Sequence, residues 1–228
     1  MKCYVLSLHR CGTQSTAQLL RLLGIKTIHW PARHRGVDLQ AAIQGRESDL
    51  DLLMGVLAPV IARYEAIADV PVPALYRQLH DRSPDAKFIL LHRNDRDWVQ
   101  SVRRFVGERD LAPYERAVYW RYFGQHPRSL AELSDRELAE MHLRHTDEVA
   151  SFFAKANPKG LLVHRLEDTG SGSAIGAFLG YLGGPPMPTY ATGPMPSRLA
   201  TAVTGKVRRA RAALRKMGSG TGRLAATR

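Results

Sequence analysis

The chain has 228 residues, 44% of them hydrophobic, and a formal charge of +12 from 33 Lys and Arg against 21 Asp and Glu. That length suits one α/β domain with a substantial core and leaves no room for a second large one. No run approaches the ~18 to 20 apolar residues of a membrane span, and Met1 to Leu8 is too soon interrupted by Arg10 for a secretion signal, so a cytoplasmic protein is expected.

An apolar strand opens the chain and runs into His9-Arg10-Cys11-Gly12-Thr13-Gln14-Ser15-Thr16, then into a helix. Such a junction binds anions. The first helical turn leaves N–H groups without partners, and the macrodipole adds about half a positive charge there. Gly12 lets the backbone approach an anion without a Cβ in the way. The nucleoside-triphosphatase loop, G-x-x-x-x-G-K-[ST], puts a Lys before a metal-binding hydroxyl; here Arg10 precedes the glycine and no Lys follows it, which disfavours magnesium-dependent phosphoryl transfer. Cys3 and Cys11 suit neither a zinc site nor a bridge and read as free thiols. Cys11 is either a small packing residue or, with helix amides and Arg10 lowering its pKa, a redox-sensitive or nucleophilic thiol.

The first helix is expected over Thr16 to Leu23, stopped by Gly24, with a short strand over Lys26 to His29. Trp30 to Glu47, rich in Arg and His, lacks a clear period and reads as a loop or helix over the site. Asp49 to Ala68 carries a helical apolar pattern, bent at Pro59. After Asp69-Val70-Pro71 a helix covers Pro73 to Arg82. Lys87 to His92, with Phe88, Ile89, Leu90 and Leu91 unbroken, is the clearest strand and of the kind buried on both faces. Helices follow over Asp95 to Val106, Pro113 to Phe123 and Asp135 to Ala156, the last opened by Ser134-x-x-Glu137 as a capping box. Within it His142, Arg144, His145 and Asp147 have metal-ligand spacing but no further partner, so they read as a solvated charged face and no metal is expected. Gly160 to His164 reads as another buried strand and Ala174 to Leu182 as a helix.

Strand and helix alternation with short connections predicts a three-layer α/β/α fold with a central parallel sheet, nucleoside-triphosphatase-like, with ligands at the carboxyl ends of the strands. Arg10, Asp69 and Arg93 should gather there, each just after a strand. The domain is expected over 1–188, followed by a Pro/Gly-rich linker and a basic helical tail over 189–228. Residues 169–228 carry nine basic side chains and no acidic one, so the tail from Ser197 to Arg228 is a candidate for peripheral contact with an anionic membrane. Without aromatic interleaving it is a poor nucleic-acid binder.

Ser7-Leu8-His9-Arg10-Cys11-Gly12-Thr13 resembles the loop of the sulfotransferase family, P-[KR]-[ST]-G-T-T, which binds the 5′-phosphosulfate of 3′-phosphoadenosine 5′-phosphosulfate (PAPS). A second segment, Asp85 to Val102, resembles the family's other motif: a buried strand ending in Arg, then Asn or Asp, then a helix with Ser eight residues past that Arg, here Arg93 and Ser101. His9 stands where the family has Pro, and Gln14 where it has Thr. The resemblance implies a metal-independent sulfotransferase using PAPS and releasing 3′-phosphoadenosine 5′-phosphate (PAP), with a small-molecule, lipid or carbohydrate acceptor. It places the phosphosulfate on Arg10, Cys11, Gly12, Thr13, Gln14, Ser15 and Thr16 and the 3′-phosphate on Arg93 and Ser101. Arg10 takes the position of the basic catalytic residue. Asp69, in Asp69-Val70-Pro71, stands where the cytosolic branch has its His base, with His29 and His34 as other candidates by type. Trp98 either stacks on adenine or, as preferred, belongs to the core. The family's nucleotide-closing R-K-G segment has no convincing counterpart; Gly205-Lys206-Val207-Arg208-Arg209 is a candidate to serve in its place. Two other classes stay open: a kinase-like transferase, and a non-enzymatic binder of anionic lipid or nucleic acid acting through the tail.

Overall fold

A computed structural model describes residues 1–182 and 184–188; the linker and basic tail expected over 189–228 lie outside the described residues. Strand β1 (Cys3–Val5) leads through the anion loop into helix α1 (Thr13–Leu22) and strand β2 (Thr27–His29). A hairpin of β3 (Arg33–His34) and β4 (Val37–Asp38) and a 3-10 turn at Ala41–Ile43 occupy the stretch without a period. Helix α2 (Leu50–Arg63) starts at Asp49, whose carboxylate accepts from the Leu52 N–H at 2.8 Å. Then come β5 (Ala66–Ala68), a 3-10 turn at Val72–Leu75, α3 (Tyr76–Arg82), β6 (Lys87–His92), α4 (Asp95–Val106), α5 (Pro113–Phe123), α6 (Asp135–Ala156), β7 (Leu161–Arg165) and α7 (Ser171–Phe178).

The five longer strands form one parallel sheet in the order β2-β5-β1-β6-β7. Side-chain alternation along its central strands divides the core. Tyr4, Leu6, Phe88 and Leu90 pack with α2 to α6, and Cys3, Val5, Ile89 and Leu91 pack with α1 and α7. Both faces are covered by helices, the three-layer arrangement expected of a parallel sheet.

Several expectations change. The strand read as buried over Gly160 to His164 is β7, at the edge of the sheet, with Val163 and Arg165 exposed. The helix read over Pro73 to Arg82 opens as a 3-10 turn and becomes α-helical at Tyr76. The helix read over Asp49 to Ala68 ends at Arg63, and Ala66–Ala68 is a strand paired with both β1 and β2. Ile67 fits a helical period and a buried strand equally well, and pairing on two sides decides between them. Helix α1 starts earlier than Thr16, at Thr13, with Gly12 as its left-handed N-cap. Helix α7 likewise starts at Ser171 rather than Ala174. The solvated face read on α6 is half wrong, because His142 and His145 are buried. His145 donates from Nε2 to the Leu6 carbonyl at 2.7 Å and faces the Tyr122 hydroxyl at 2.5 Å. Burial lowers its pKa to about 4, which keeps the ring neutral.

Candidate active site

The sheet order sets the ends of β2, β5, β1 and β6 side by side, and the candidate site is built on that rim. Trp30, Asp69 and Arg10 follow three of those strands, and all have left-handed backbones, at φ 53, 78 and 65. For residues with a Cβ that conformation costs about 1 to 3 kcal/mol each and persists where surrounding structure imposes it, often at working sites.

Arg10 and Arg93 meet here. Arg93 Nη1 donates to the Arg10 carbonyl at 3.5 Å, while Arg10 Nε donates to Ser101 Oγ at 3.2 Å, so the two motifs touch through one residue. The Arg10 guanidinium also lies 4.8 Å from the centre of the Phe105 ring. Burial, and then the like charge of Arg93, push the Arg10 pKa below its ordinary value. Among the described residues Arg93 Nε is buried with no hydrogen bond, and Glu167 lies 3.6 Å from it. Two guanidinium groups that lose water and repel each other favour an anion between them.

The start of α1 adds to this field. Thr16 is the first residue whose amide has a helical partner, the Gly12 carbonyl at 2.9 Å, so among the described residues the amides of Thr13, Gln14 and Ser15 stay open. The hydroxyls differ. Thr16 Oγ1 donates back to the Gly12 carbonyl at 2.9 Å, and Thr13 Oγ1 lies 3.2 Å from His29 Nε2. Gln14 is exposed and Ser15 half-buried. A Cβ on Gly12, at φ 74, would fall 2.8 Å from Leu166 Cδ1 and 3.3 Å from Met187 Cε, so packing demands the glycine as well.

Asp69 is buried and doubly engaged. One carboxylate oxygen accepts from the Val70 N–H at 2.9 Å, and the other lies 2.9 Å from His29 Nε2. Register explains the second contact, since His29 pairs with Ala68 across β2 and β5. His29 Nδ1 has no partner among the described residues. His34 instead packs edge-on against Tyr64.

Beneath the loop lies a layer of buried polar groups. Trp98 is fully buried, a core residue as preferred, and donates from Nε1 to the His9 carbonyl at 2.9 Å. His9 Nε2 lies 2.9 Å from the Tyr119 hydroxyl. Cys11 Sγ lies 3.5 Å from His142 Nε2, and His142 Nδ1 lies 2.6 Å from Asp95 Oδ1. Burial outweighs the nearby arginines and raises the Cys11 pKa, opposite to the shift its loop position suggests, so the thiol keeps its proton. Glu115 is held by Arg109 at 2.7 and 2.8 Å and by the Ala112 N–H at 2.7 Å. These bonds outweigh its burial and bring its pKa down to about 2.

Sequence reasoning missed Glu167, Phe105 and the His142–Asp95 pair; of these only Glu167, just past a strand, carried a positional signal. Among the described residues no cluster of His, Cys, Asp and Glu is arranged to hold a metal ion, and no helix is long and apolar enough to cross a membrane.

A family model described as "Sulfotransferase domain" matches residues 2–190. No curated protein sequence matches the chain. Solved structures similar to it include a sulfotransferase from Alicyclobacillus acidocaldarius, with 17% identity over 95% of this chain and 94% of that one and a TM-score of 0.47. A shikimate kinase from Bacteroides thetaiotaomicron shares 13% identity over 78% and 94%, with a TM-score of 0.47. A sulfotransferase domain from the curacin biosynthetic pathway shares 14% over 84% and 75%, with a TM-score of 0.43.

Proposed function

The chain belongs to the sulfotransferase family, and from that premise we propose that it transfers the sulfuryl group of PAPS to a hydroxyl or amine of a small-molecule, lipid or carbohydrate acceptor. The observation that carries the donor assignment is the direct contact of the two motifs, Arg10 with Ser101 at 3.2 Å and Arg93 with the Arg10 carbonyl at 3.5 Å. A donor with anionic groups at both ends of one nucleoside suits two adjoining cationic turns better than a donor charged at one end. The residues present fit it. The open amides of α1 with Arg10 take the phosphosulfate, and Arg93 with Ser101 takes the 3′-phosphate.

PAPS, when bound, supplies a sulfuryl group already activated by its link to phosphate. Arg10 offsets the charge that develops on that phosphate, a contribution of about 3 kcal/mol for a well-aimed donor. Its guanidinium stays charged and donates hydrogen bonds without giving up a proton. Asp69 acts with His29. Both carboxylate oxygens of Asp69 are engaged, so the acceptor's proton passes to His29 Nδ1 while Asp69 holds Nε2–H and stabilises the imidazolium. The stretch from Trp30 through the β3–β4 hairpin follows this base directly in the chain and is assigned to the acceptor side.

Calorimetry with PAP and ATP tests the donor, and radiolabelled sulfate transfer across lipid, glycan and phenolic acceptors tests the reaction. PAP should bind in preference to ATP, and Arg93→Ala should remove that preference. Arg10→Ala should lower kcat by about a hundredfold. Equal affinity for the two nucleotides, indifferent to Arg93→Ala, overturns the assignment.

A further inference from the structure

We propose that His142 is a positioning residue for donor binding: its imidazole, reaching up from α6, joins the turn that holds the phosphosulfate to the turn that holds the 3′-phosphate. The inference rests on the PAPS reading above and adds to it a residue that touches no substrate.

Each part of the ring contacts a different donor-binding element. Nε2 lies 3.5 Å from Cys11 Sγ, in the anion loop next to Gly12. Nδ1 lies 2.6 Å from Asp95 Oδ1, in the first turn of α4 and two residues beyond Arg93. The ring face stacks on Trp98 at 4.9 Å and 23°, and Trp98 donates to the His9 carbonyl just ahead of Arg10. Helix α4 also carries Ser101, so the loop and both 3′-phosphate residues are tied to one imidazole.

The proton order is consistent along this chain. Burial keeps Cys11 a thiol, so its S–H points to Nε2, and the neutral ring donates Nδ1–H to the Asp95 carboxylate. A residue present only to fill volume does not need this. His142 is buried, and an imidazole in that position costs desolvation unless both nitrogens are satisfied. A Leu or Met fills comparable space without that demand, but joins nothing. The ring is also too far inside to face an acceptor, which separates its role from that of His29.

Two single variants of the full chain, His142→Gln and Asp95→Ala, and their double test the link. The glutamine spans one of the two contacts but not both; Asp95 is partly exposed, so its removal leaves a folded protein even where the buried change does not. The Kd for PAP and the KM for PAPS should rise roughly tenfold to a hundredfold in each single variant, as expected when a binding element is misplaced by about 1 Å. The KM for acceptor should stay within twofold. The double variant should be no worse than the poorer single one, because both cut the same connection. Unchanged PAP affinity in the singles, equal losses in donor and acceptor KM, or losses that multiply in the double would each overturn the positioning role. Wild-type protein that ignores PAP overturns the donor reading, and this proposal with it. Wild-type binding beside unaffected variants overturns this proposal alone.

Discussion

Gly12 answers three demands at once: a left-handed backbone at φ 74, an approach to anions free of side chain, and contact with Leu166 and Met187. Only the anion demand is visible locally, because the packing partners lie on the far side of the fold's last strand. Alanine at this position meets a left-handed penalty of about 1 to 2 kcal/mol, plus the clash at 2.8 Å with the Leu166 methyl. Gly12→Ala should therefore lower the urea midpoint and weaken PAP binding together. An unchanged midpoint would show that the turn relaxes freely. That Arg10 and Arg93 lie just after strands was legible in the sequence, and Ser101 came from the family resemblance, whereas the pairing of His29 with Asp69 was not visible. It depends on β2 and β5 lying in register, and β5 itself was hidden within an apolar pattern that also suits a helix.

Elements with explicit start signals were read to the residue. Helix α6 begins where Ser134 and Glu137 bond reciprocally, Ser134 N–H to Glu137 at 2.7 Å and Glu137 N–H to Ser134 at 3.2 Å. Removing that cap by Ser134→Ala should cost about 1 kcal/mol, seen as a lower midpoint in thermal unfolding with donor affinity retained. A midpoint equal to wild type would mean that packing alone sets the start of α6. The strand β6 was equally clear, its unbroken apolar run matching burial on both faces. The inner face of α6 was not, since Arg144 and Asp147 beside His142 and His145 look like a surface run. Only tertiary contact with α4 and the Leu6 carbonyl turns those two rings inward.

At the scale of the whole molecule, buried titrating groups set the response to acid. His145 has a folded pKa lowered from 6.5 to about 4, so the unfolded chain binds its proton first as pH falls. Stability should then decline between pH 6.5 and 4, by about 3 kcal/mol from this ring. Glu115, lowered from 4.5 to about 2, contributes stability that is complete above pH 4.5 and lost as pH falls towards 2. Urea unfolding at roughly pH 7, 5.5 and 4.5, where Glu115 still keeps its charge, should show a steady fall, less steep in His145→Gln. A flat profile would mean that His145 is less sheltered than its contacts imply.

The left-handed residues at three neighbouring strand ends also decide where the molecule has room to improve. On the site proposed above, robustness along that edge is exchanged for the aim of Arg10 and Asp69. Greater heat tolerance is then expected from the helices and outer surface, because a backbone eased at either residue should make a sturdier protein and a slower one.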